Sequence, residues 1–438
     1  MSAPPTAALA RDLQLRALEL YQDNPRARSW LHRHLARFDE PLRLAVLGGR
    51  SAGKTTLVHA LLGETPPSTS DGSAMSWHRA KPALTSLPEF TVIDTPALDE
   101  HNMSQSAQAS SMDADAVLNL VPNPYRAGNE VLRATHEHPI AASAPVSSLT
   151  VVSRADELGS GRVDALISAR QLARRYRDEP EVRDLSQDTL AVSGLAASAA
   201  ATLTEQEFDA LATLARSPRA ELDAQLLSVD RFTGTDSPLR IDVAMREVLL
   251  RRCGLFGLRM ATTLIRQGAN DAGTLARQLA QRSGVAELRE AIRRYFIGHA
   301  DALKARAALI AVDVVLRREP HRAAAHLLGE VDRVLADAHE YQELRLLGDL
   351  DTQRVALPDD LATEAARLIG ADGTHPARRL ALDVDCPPTD HRYQQALFGT
   401  LWRWREHAAN PALSSTQRDA ATTVIRTCEA LATEALTE

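Results

Sequence analysis

Residues 48–56 form the pattern with the clearest chemical meaning. They read GGRSAGKTT and match G-x-x-x-x-G-K-[ST], directly after the apolar run LRLAVL and directly before an amphipathic stretch. In this context the backbone N–H groups of residues 49–55 converge on a phosphate at a helix N-terminus, where the helix dipole favours negative charge. The sequence therefore predicts a phosphate-binding loop, the P-loop. Its expected contact residues are Gly48, Gly49, Arg50, Ser51, Ala52, Gly53, Lys54, Thr55 and Thr56.

Three side chains near this loop suit a nucleoside triphosphate with Mg²⁺. Lys54 would lie between the β- and γ-phosphates as a point charge, and the Thr55 hydroxyl would bind Mg²⁺. Asp94 ends the next apolar run, FTVID, and an aspartate at such a strand end holds Mg²⁺ in P-loop proteins, usually through water. The sequence thus predicts a metal site formed by Thr55 and Asp94.

The segment Ser153–Asp156 reads SRAD and is a variant of the [NT]-K-x-D pattern that selects guanine. The Asp156 carboxylate can accept hydrogen bonds from N1–H and the exocyclic amine of guanine, a pair of donors that adenine does not offer. The Arg154 stem can cover the plane of the base. Ser193 and Gly194 stand where a final loop contacts the base. We therefore expect GTP and GDP as ligands, with an ATPase as the alternative.

Composition and charge narrow the class of protein. At 438 residues and 44% hydrophobic content, the chain is long enough for two or three domains. The net charge of −7 lacks the basic excess of a nucleic-acid-binding protein, so a ribosome- or RNA-associated GTPase is only a minor alternative. Cys253, Cys386 and Cys428 form no CxxC pair, which favours neither a disulfide framework nor a zinc site.

The chain shows no secretory signal and no apolar stretch of the length that a membrane span needs. The nearest approach to a span is 253–265, which is too short and contains Arg259. We therefore expect a cytoplasmic protein whose contact with membranes is peripheral.

Hydrophobic periodicity divides the chain into three parts. Two amphipathic helices come before the first apolar run, and between 42 and about 195 short apolar runs alternate with helical stretches, as in a parallel sheet with crossover helices. After 204 long amphipathic helices follow, one of them at 320–346, with a looser stretch at 348–392. The predicted domains are N-terminal helices (1–40), an α/β P-loop GTPase domain with a mixed, mostly parallel sheet flanked by helices (41–235), and an extended α-helical bundle (236–438).

This order of motifs resembles the dynamin superfamily of GTPases, and more narrowly the actinobacterial dynamin-like proteins that include the isoniazid-induced group. The resemblance rests on segments such as EPLRLAVLGGRSAGKTTLVHALLGE, SRADELGSGR and CGLFGLRMATTLIRQGA, and it covers most of residues 5–345. It implies a GTPase head, a neck that includes the N-terminal helices, and a trunk whose tip contacts lipid. It further implies nucleotide-dependent pairing of heads, membrane remodelling, and a location at the inner face of the cell membrane.

Three positions that sense the γ-phosphate depart from the family pattern. Switch I normally supplies a threonine to Mg²⁺, and here only Thr69 and Ser73 are candidates. Ala97 replaces the glycine of switch II, at a cost of roughly 1 kcal/mol if the loop requires positive φ. Arg50 stands where eukaryotic dynamins carry glutamine, and it is interpreted either as an arginine finger in cis or as a solvated side chain. Arg50 and Lys54 are the predicted catalytic residues.

Two functions remain open from the sequence. The first is a slow GTPase that couples nucleotide state to head dimerisation and membrane binding. The second is a degenerate GTP-binding partner that scaffolds or regulates a more active dynamin-like paralogue. Phe398, Trp402 and Trp404 are interpreted as core residues; the alternative is that this segment, or the turns after Leu346, contacts lipid.

Overall fold

The computed structural model describes residues 5–64, 75–82, 87–98, 103–125 and 129–435. In these ranges one sheet has the strand order β2-β3-β1-β4-β5-β6, in which β2 is antiparallel to β3 and all other neighbours are parallel. This confirms the predicted mixed, mostly parallel sheet. The strands are β1 Leu42–Gly48, β2 Ser76–Ala80, β3 Phe90–Asp94, β4 Ala116–Val121, β5 Ser148–Val152 and β6 Thr189–Ala191.

Strands β1, β3, β4 and β5 coincide with the predicted apolar runs and are buried along nearly their whole length. Parallel strands covered on both faces need apolar side chains at successive positions, which explains these runs. Strand β2 was missed because it reads SWHRA and alternates between partly buried and exposed side chains. It lies at the edge of the sheet, where polar and charged residues are tolerated.

Helices come before, within and after the sheet. Up to residue 233 they are α1 Thr6–Leu20, α2 Pro25–Ala36, α3 Lys54–Leu62, α4 Met103–Met112, α5 Glu130–Thr135, α6 Pro139–Ser143, α7 Ala165–Arg177, α8 Pro180–Leu185, α9 Gly194–Ala201, α10 Glu205–Arg216, α11 Arg219–Gln225 and α12 Val229–Thr233.

The remainder is helical, as expected, with helices α13 Val243–Arg266, α14 Ala272–Ser283, α15 Val285–Ala291, α16 Ala300–Arg318, α17 Ala324–Asp337, α18 His339–Asp351, α19 Asp359–Leu368, α20 Pro376–Arg379, α21 His391–Ala408 and α22 Ser415–Ala435. Helix α13 is interrupted at Gly254. A π-helical turn, Ile292–Phe296, and a 3-10 turn, Ile297–His299, join α15 to α16. Among the described helices, none combines the length and the apolar character needed to cross a membrane.

A buried ion pair attaches the N-terminal helices to the sheet. Arg37 Nη2 and Asp115 Oδ1 lie 2.5 Å apart, and both side chains are almost completely buried. The other Asp115 oxygen accepts the backbone N–H of Arg43, at the start of β1, at 2.8 Å. Since loss of either partner would leave a buried charge unpaired, this pair fixes the position of the helices before the sheet.

Helix α18 packs directly on the segment that precedes β6. Gln187, which precedes β6, donates from Nε2 to the carbonyl oxygen of Leu344 at 3.1 Å. A Cβ on Gly348 would lie 2.3 Å from Gln187 Oε1 and 3.2 Å from the Gln187 carbonyl oxygen, so glycine allows this close approach without a shift of Gln187. Val46 of β1 and Trp404 of α21 belong to one continuous hydrophobic core. The sheet and the C-terminal helices therefore stabilise each other.

Two helical predictions were wrong in detail. The segment 320–346 forms two helices, α17 and α18, which meet at Ala338 with φ −70° and ψ 83°. The apolar spacing gave no signal there, because Ala338 is itself buried and the core-facing pattern continues through the bend. The stretch 348–392, predicted to be loose, contains α19 and α20, whose Leu368 and Ala377 are buried.

The prediction that three aromatic side chains of α21 lie in the core was also wrong for two of them. Trp404 is fully buried and donates from Nε1 to Glu364 Oε2 at 3.1 Å. Phe398 and Trp402 are 57% and 68% exposed. These two side chains form an exposed pair, one helical turn apart, which we call the α21 aromatic pair.

The three cysteines are free and buried. Burial raises the pKa of the Cys253 and Cys428 thiols to about 12. The Cys253 and Cys428 thiols are thus kept protonated.

The turn between α14 and α15 supplies a stability test. Gly284 has φ 83°, and a Cβ there would lie 2.1 Å from the carbonyl oxygen of Ala191. We expect Gly284→Ala to lower the free energy of unfolding by about 2 kcal/mol or more, because left-handed strain adds to a backbone clash. Urea denaturation measures the change.

The control is Gly329→Ala on α17, where an added Cβ meets nothing within 4 Å. This variant should be unchanged, or more stable by up to about 1 kcal/mol, because alanine is the better helix former. Equal stability of the two variants would contradict the prediction.

Candidate nucleotide-binding site

The P-loop runs from the end of β1 to the start of α3, and its path depends on two glycines. Gly53 has φ 86°, a left-handed conformation that glycine adopts without strain. A Cβ on Gly48 would lie 3.0 Å from the carbonyl oxygen of Leu120 on β4 and 3.1 Å from Ala52 Cβ. Gly53 is therefore required by its left-handed backbone, and Gly48 by the close approach of the loop to β4.

Lys54 is only 8% exposed and points into the loop. Its ammonium group donates to the carbonyl oxygens of Gly48 at 3.0 Å and Gly49 at 3.1 Å. Burial lowers the pKa of Lys54, and the nearby Asp94 carboxylate acts in the opposite direction. The loop thus holds a cation where phosphate oxygens can replace backbone carbonyls as its partners.

Thr55 and Asp94 face each other at the carboxyl ends of the strands. The Thr55 hydroxyl donates to Asp94 Oδ2 at 2.6 Å, and Asp94 is 8% exposed. The second Asp94 oxygen is buried and has no partner among the described residues. Mg²⁺ takes few protein ligands and keeps several waters, so a hydroxyl beside an unsatisfied carboxylate oxygen fits a hydrated Mg²⁺.

A cavity of about 270 Å³, the base pocket, lies between the P-loop, the SRAD segment and the start of α9. Asp156 lines it and is 8% exposed. Burial raises the pKa of Asp156, while a hydrogen bond from Ser193 acts against that shift. Two N–H donors from a guanine edge would favour the ionised carboxylate in the same way.

Arg154 links the SRAD segment to the P-loop. It has φ 52°, and its Nη1 donates to the carbonyl oxygen of Ser51 at 3.0 Å while its Nε donates to Glu157 Oε1 at 2.7 Å. Ser153, where related motifs carry the longer asparagine or threonine, is buried and its hydroxyl has no partner among the described residues. Glu157 was not singled out from the sequence, although it directly follows the motif.

Gly194 lines the base pocket just after the end of β6, and Ser193 directly precedes it. The Ser193 hydroxyl accepts the N–H of Ala196 at 3.3 Å and so caps α9. A Cβ on Gly194 would lie 3.4 Å from Thr56 Cγ2 on α3. The structure therefore brings these two positions and the P-loop helix together.

The switch positions are only partly described. Leu98 donates its N–H to the carbonyl oxygen of Gly48 at 3.3 Å, which holds switch II against the P-loop, and the adjoining Ala97 is exposed. Ala97 is not among the described residues with positive φ, so the strain considered for it is absent from this conformation. Arg50 is exposed at the tip of the P-loop. Thr69 and Ser73 lie outside the described residues.

Comparisons with known proteins agree with this geometry. Residues 43–149 match the family described as "50S ribosome-binding GTPase". The isoniazid-induced protein IniC of Mycobacterium tuberculosis, from strains CDC 1551 / Oshkosh and ATCC 25618 / H37Rv, is 32% identical over 453 residues, covering 91% of this chain and 91% of each relative. A solved structure, "LeoA bacterial dynamin GTPase from ETEC", aligns with 99% of this chain and 94% of its own, at 14% identity and a TM-score of 0.27, which is too low to support an argument.

The P-loop, the hydrogen-bonded Thr55 and Asp94, and the base pocket therefore lie within a chain that aligns with IniC along nearly its whole length. The chain belongs to the family of the isoniazid-induced protein IniC, and it is a GTPase.

Proposed function

We propose that this GTPase binds GTP with Mg²⁺ across the P-loop and the base pocket, hydrolyses it slowly, and couples the nucleotide state to head pairing and peripheral membrane binding. The observation that carries the nucleotide part is the convergence of Lys54, Asp94 and Asp156, three buried charged groups, on one edge of the sheet. The phosphates and Mg²⁺ would balance the charges of Lys54 and Asp94, and the N–H groups of guanine would satisfy Asp156 by hydrogen bonds.

In this proposal each residue has a defined task. The P-loop amides and Lys54 bind the β- and γ-phosphates, while Thr55 and Asp94 hold Mg²⁺. The metal neutralises charge on the phosphate oxygens when it is bound. Arg50, exposed at the loop tip, is placed to stabilise charge on the transferring phosphoryl group. Asp156 selects guanine, and Arg154 keeps the SRAD segment against the P-loop.

The second candidate function is a GTP-binding partner with little hydrolysis that regulates a more active paralogue. It is favoured by Ala97, because the switch II loop must leave its contact with Gly48 to reach a γ-phosphate, and alanine restricts the conformations available to it. Head pairing would then join this chain to the paralogue rather than to a second copy of itself. Turnover by the purified protein separates the two functions.

Base selection can be tested by exchanging one acceptor for a donor. Asp156→Asn should weaken GTP binding at least about 100-fold. The new amide N–H would face one guanine N–H, and neither of these two donors would then have an acceptor. The same variant should gain affinity for xanthosine triphosphate, whose carbonyl accepts from the new amide. Calorimetry with both nucleotides measures the switch.

Asp178→Asn, an exposed position at the end of α7, provides the charge-matched control and should bind GTP normally. Loss of GTP binding without any gain for xanthosine triphosphate would mean that Asp156 does not read the base.

The altered switch II can be tested by restoring the glycine. Ala97→Gly is expected to raise kcat several-fold at unchanged GTP affinity, because the loop gains conformations in which its N–H reaches the γ-phosphate. Single-turnover hydrolysis measures the effect. Arg50→Ala in the same background should remove most of the gain if Arg50 acts on the phosphoryl group. An unchanged kcat for Ala97→Gly would show that position 97 does not limit hydrolysis.

Membrane association is supported by the α21 aromatic pair. Phe398 and Trp402 are bulky, more than half exposed, and lie on one face of a helix, where aromatic side chains can enter the interfacial region of a bilayer. The flanking Arg403 and Arg405 side chains are more than half exposed and form ion pairs with Glu364 and Glu429. A surface pair of this kind has a large apolar area that water solvates poorly.

Replacing the pair should reduce vesicle binding. Phe398→Ser combined with Trp402→Ser is expected to lower the bound fraction about tenfold in flotation with anionic vesicles and GTP, because each ring contributes on the order of 1 kcal/mol or more of apolar burial. The control is Ile167→Ser, an exposed aliphatic residue of α7. Equal flotation of the double variant and the control would exclude the pair as the contact.

A further inference from the structure

The turn between α14 and α15 contacts the loop that completes the base pocket. The backbone N–H of Ser193 donates to the carbonyl oxygen of Ser283 at 2.8 Å. Gly284 follows in a left-handed conformation and lies so close to Ala191 that no side chain fits between them. Ser283 also caps the turn, because its hydroxyl accepts the N–H of Val285 at 3.2 Å. This contact is formed by residues outside the sheet-containing region.

Val192 and Ser193 connect this turn to the segment that carries the base-reading carboxylate. The backbone N–H of Ala155, next to Asp156, donates to the carbonyl oxygen of Val192 at 3.3 Å, and the backbone N–H of Ser193, next to Val192, donates to the carbonyl oxygen of Ser283. Two neighbouring residues, Val192 and Ser193, therefore lie between the segment expected to bind guanine and the helical region. A shift of Asp156 that accompanies base binding would move the residue that holds the α14–α15 turn.

The next helix, α15, holds the far end of the P-loop helix. Arg289 Nη2 donates to the carbonyl oxygens of Ala60 at 2.9 Å and Leu61 at 3.2 Å. These carbonyls belong to the last turn of α3, where the helix itself offers no N–H partner; the N–H groups of Gly63 and Glu64 both bond His59 instead. A guanidinium at this position also complements the negative end of the helix dipole.

Helix α3 begins with Lys54 and Thr55, so its two ends serve different partners. The first turn would hold phosphate and Mg²⁺, and the carbonyls bound by Arg289 lie about 9 Å further along the helix. A rigid helix of nine residues transmits a displacement of one end to the other. Arg289 is thus connected through α3 to the phosphate side of the site. Ser283 is connected through Ser193 to the base side.

We propose that residues 283–289, the α14–α15 corner, position both halves of the nucleotide site and are in turn fixed by nucleotide binding. The inference rests on the proposed guanine-nucleotide binding and adds a regulatory element to it. Arg289 acts as a positioning residue through α3, and Ser283 acts through Ser193. Because coupling between two sites is reciprocal, loosening the corner lowers nucleotide affinity, and nucleotide binding orders the corner.

The chain beyond the corner gives this coupling a route to the rest of the molecule. The π-helical turn Ile292–Phe296 and the 3-10 turn Ile297–His299 follow α15 directly. Such departures from α-helical geometry are common at hinges and functional sites. They lead into α16, which packs against α1 and α2 at the N-terminus. A change at the corner therefore reaches the helices that precede the sheet.

The decisive experiment is hydrogen–deuterium exchange of the full chain with and without saturating GDP and Mg²⁺. We expect GDP to slow amide exchange several-fold in peptides that cover residues 283–289. Calorimetry on the same sample establishes occupancy independently. GDP that binds but leaves exchange in this segment unchanged overturns the coupling, whereas GDP that does not bind overturns the proposed function itself.

Variants of the capping arginine test the positioning role. Arg289→Gln should weaken GTP and GDP about 3- to 10-fold while leaving the preference for GTP over inosine triphosphate unchanged, because it acts through α3 rather than through Asp156. Arg289→Lys should recover part of the affinity. Arg282→Gln, an exposed position of α14 with the same change in charge, is the control. If Arg289→Gln binds nucleotide as tightly as the control, Arg289 is not a positioning residue. If Arg289→Gln does not fold, the same comparison is made between Arg289→Lys and the control.

Discussion

The burial of charged groups without permanent ion-pair partners is the constraint on which the nucleotide site depends. Lys54 is satisfied by two loop carbonyls, and Asp94 by one hydroxyl, with its second oxygen left unsatisfied among the described residues. Burying such groups is unfavourable unless they are hydrogen-bonded, and a ligand with phosphate oxygens, a divalent cation and N–H donors complements them together. The need to keep these charged groups hydrogen-bonded also explains why the P-loop, switch II and the SRAD segment contact each other through backbone groups. A loosely held loop would admit water to the buried charges.

The sequence was sufficient to predict those parts of the fold whose geometry follows from the spacing of residues along one segment. The P-loop and the SRAD segment each lie at the end of a parallel strand, so their residues meet at one edge of the sheet. The edge strand β2 could not be found from apolar runs, because its polar sequence is allowed only by its place at the edge. Its position is a property of the sheet, not of the segment.

The composition of a helix also does not show which of its side chains face the core and which face solvent. Trp402 and Trp404 are two residues apart, about 200° around the helix, so one faces solvent and the other the core. Phe398 and Trp402 are four residues apart, about 40°, and share a face. Three aromatics in seven residues suggest a core segment, yet only the packing of α21 on α22 decides which of them is covered. The contact of Arg289 with α3 was equally invisible, because it joins residues more than two hundred positions apart.

The state of the three cysteines has a practical consequence for studying this molecule. Since every native thiol is buried, and two of them have strongly raised pKa values, thiol-reactive dyes and spin labels will leave the wild-type chain almost unmodified under native conditions. A cysteine introduced on an exposed surface would then be the single labelled position. Distances between labelled elements can be followed in solution without first removing any native residue.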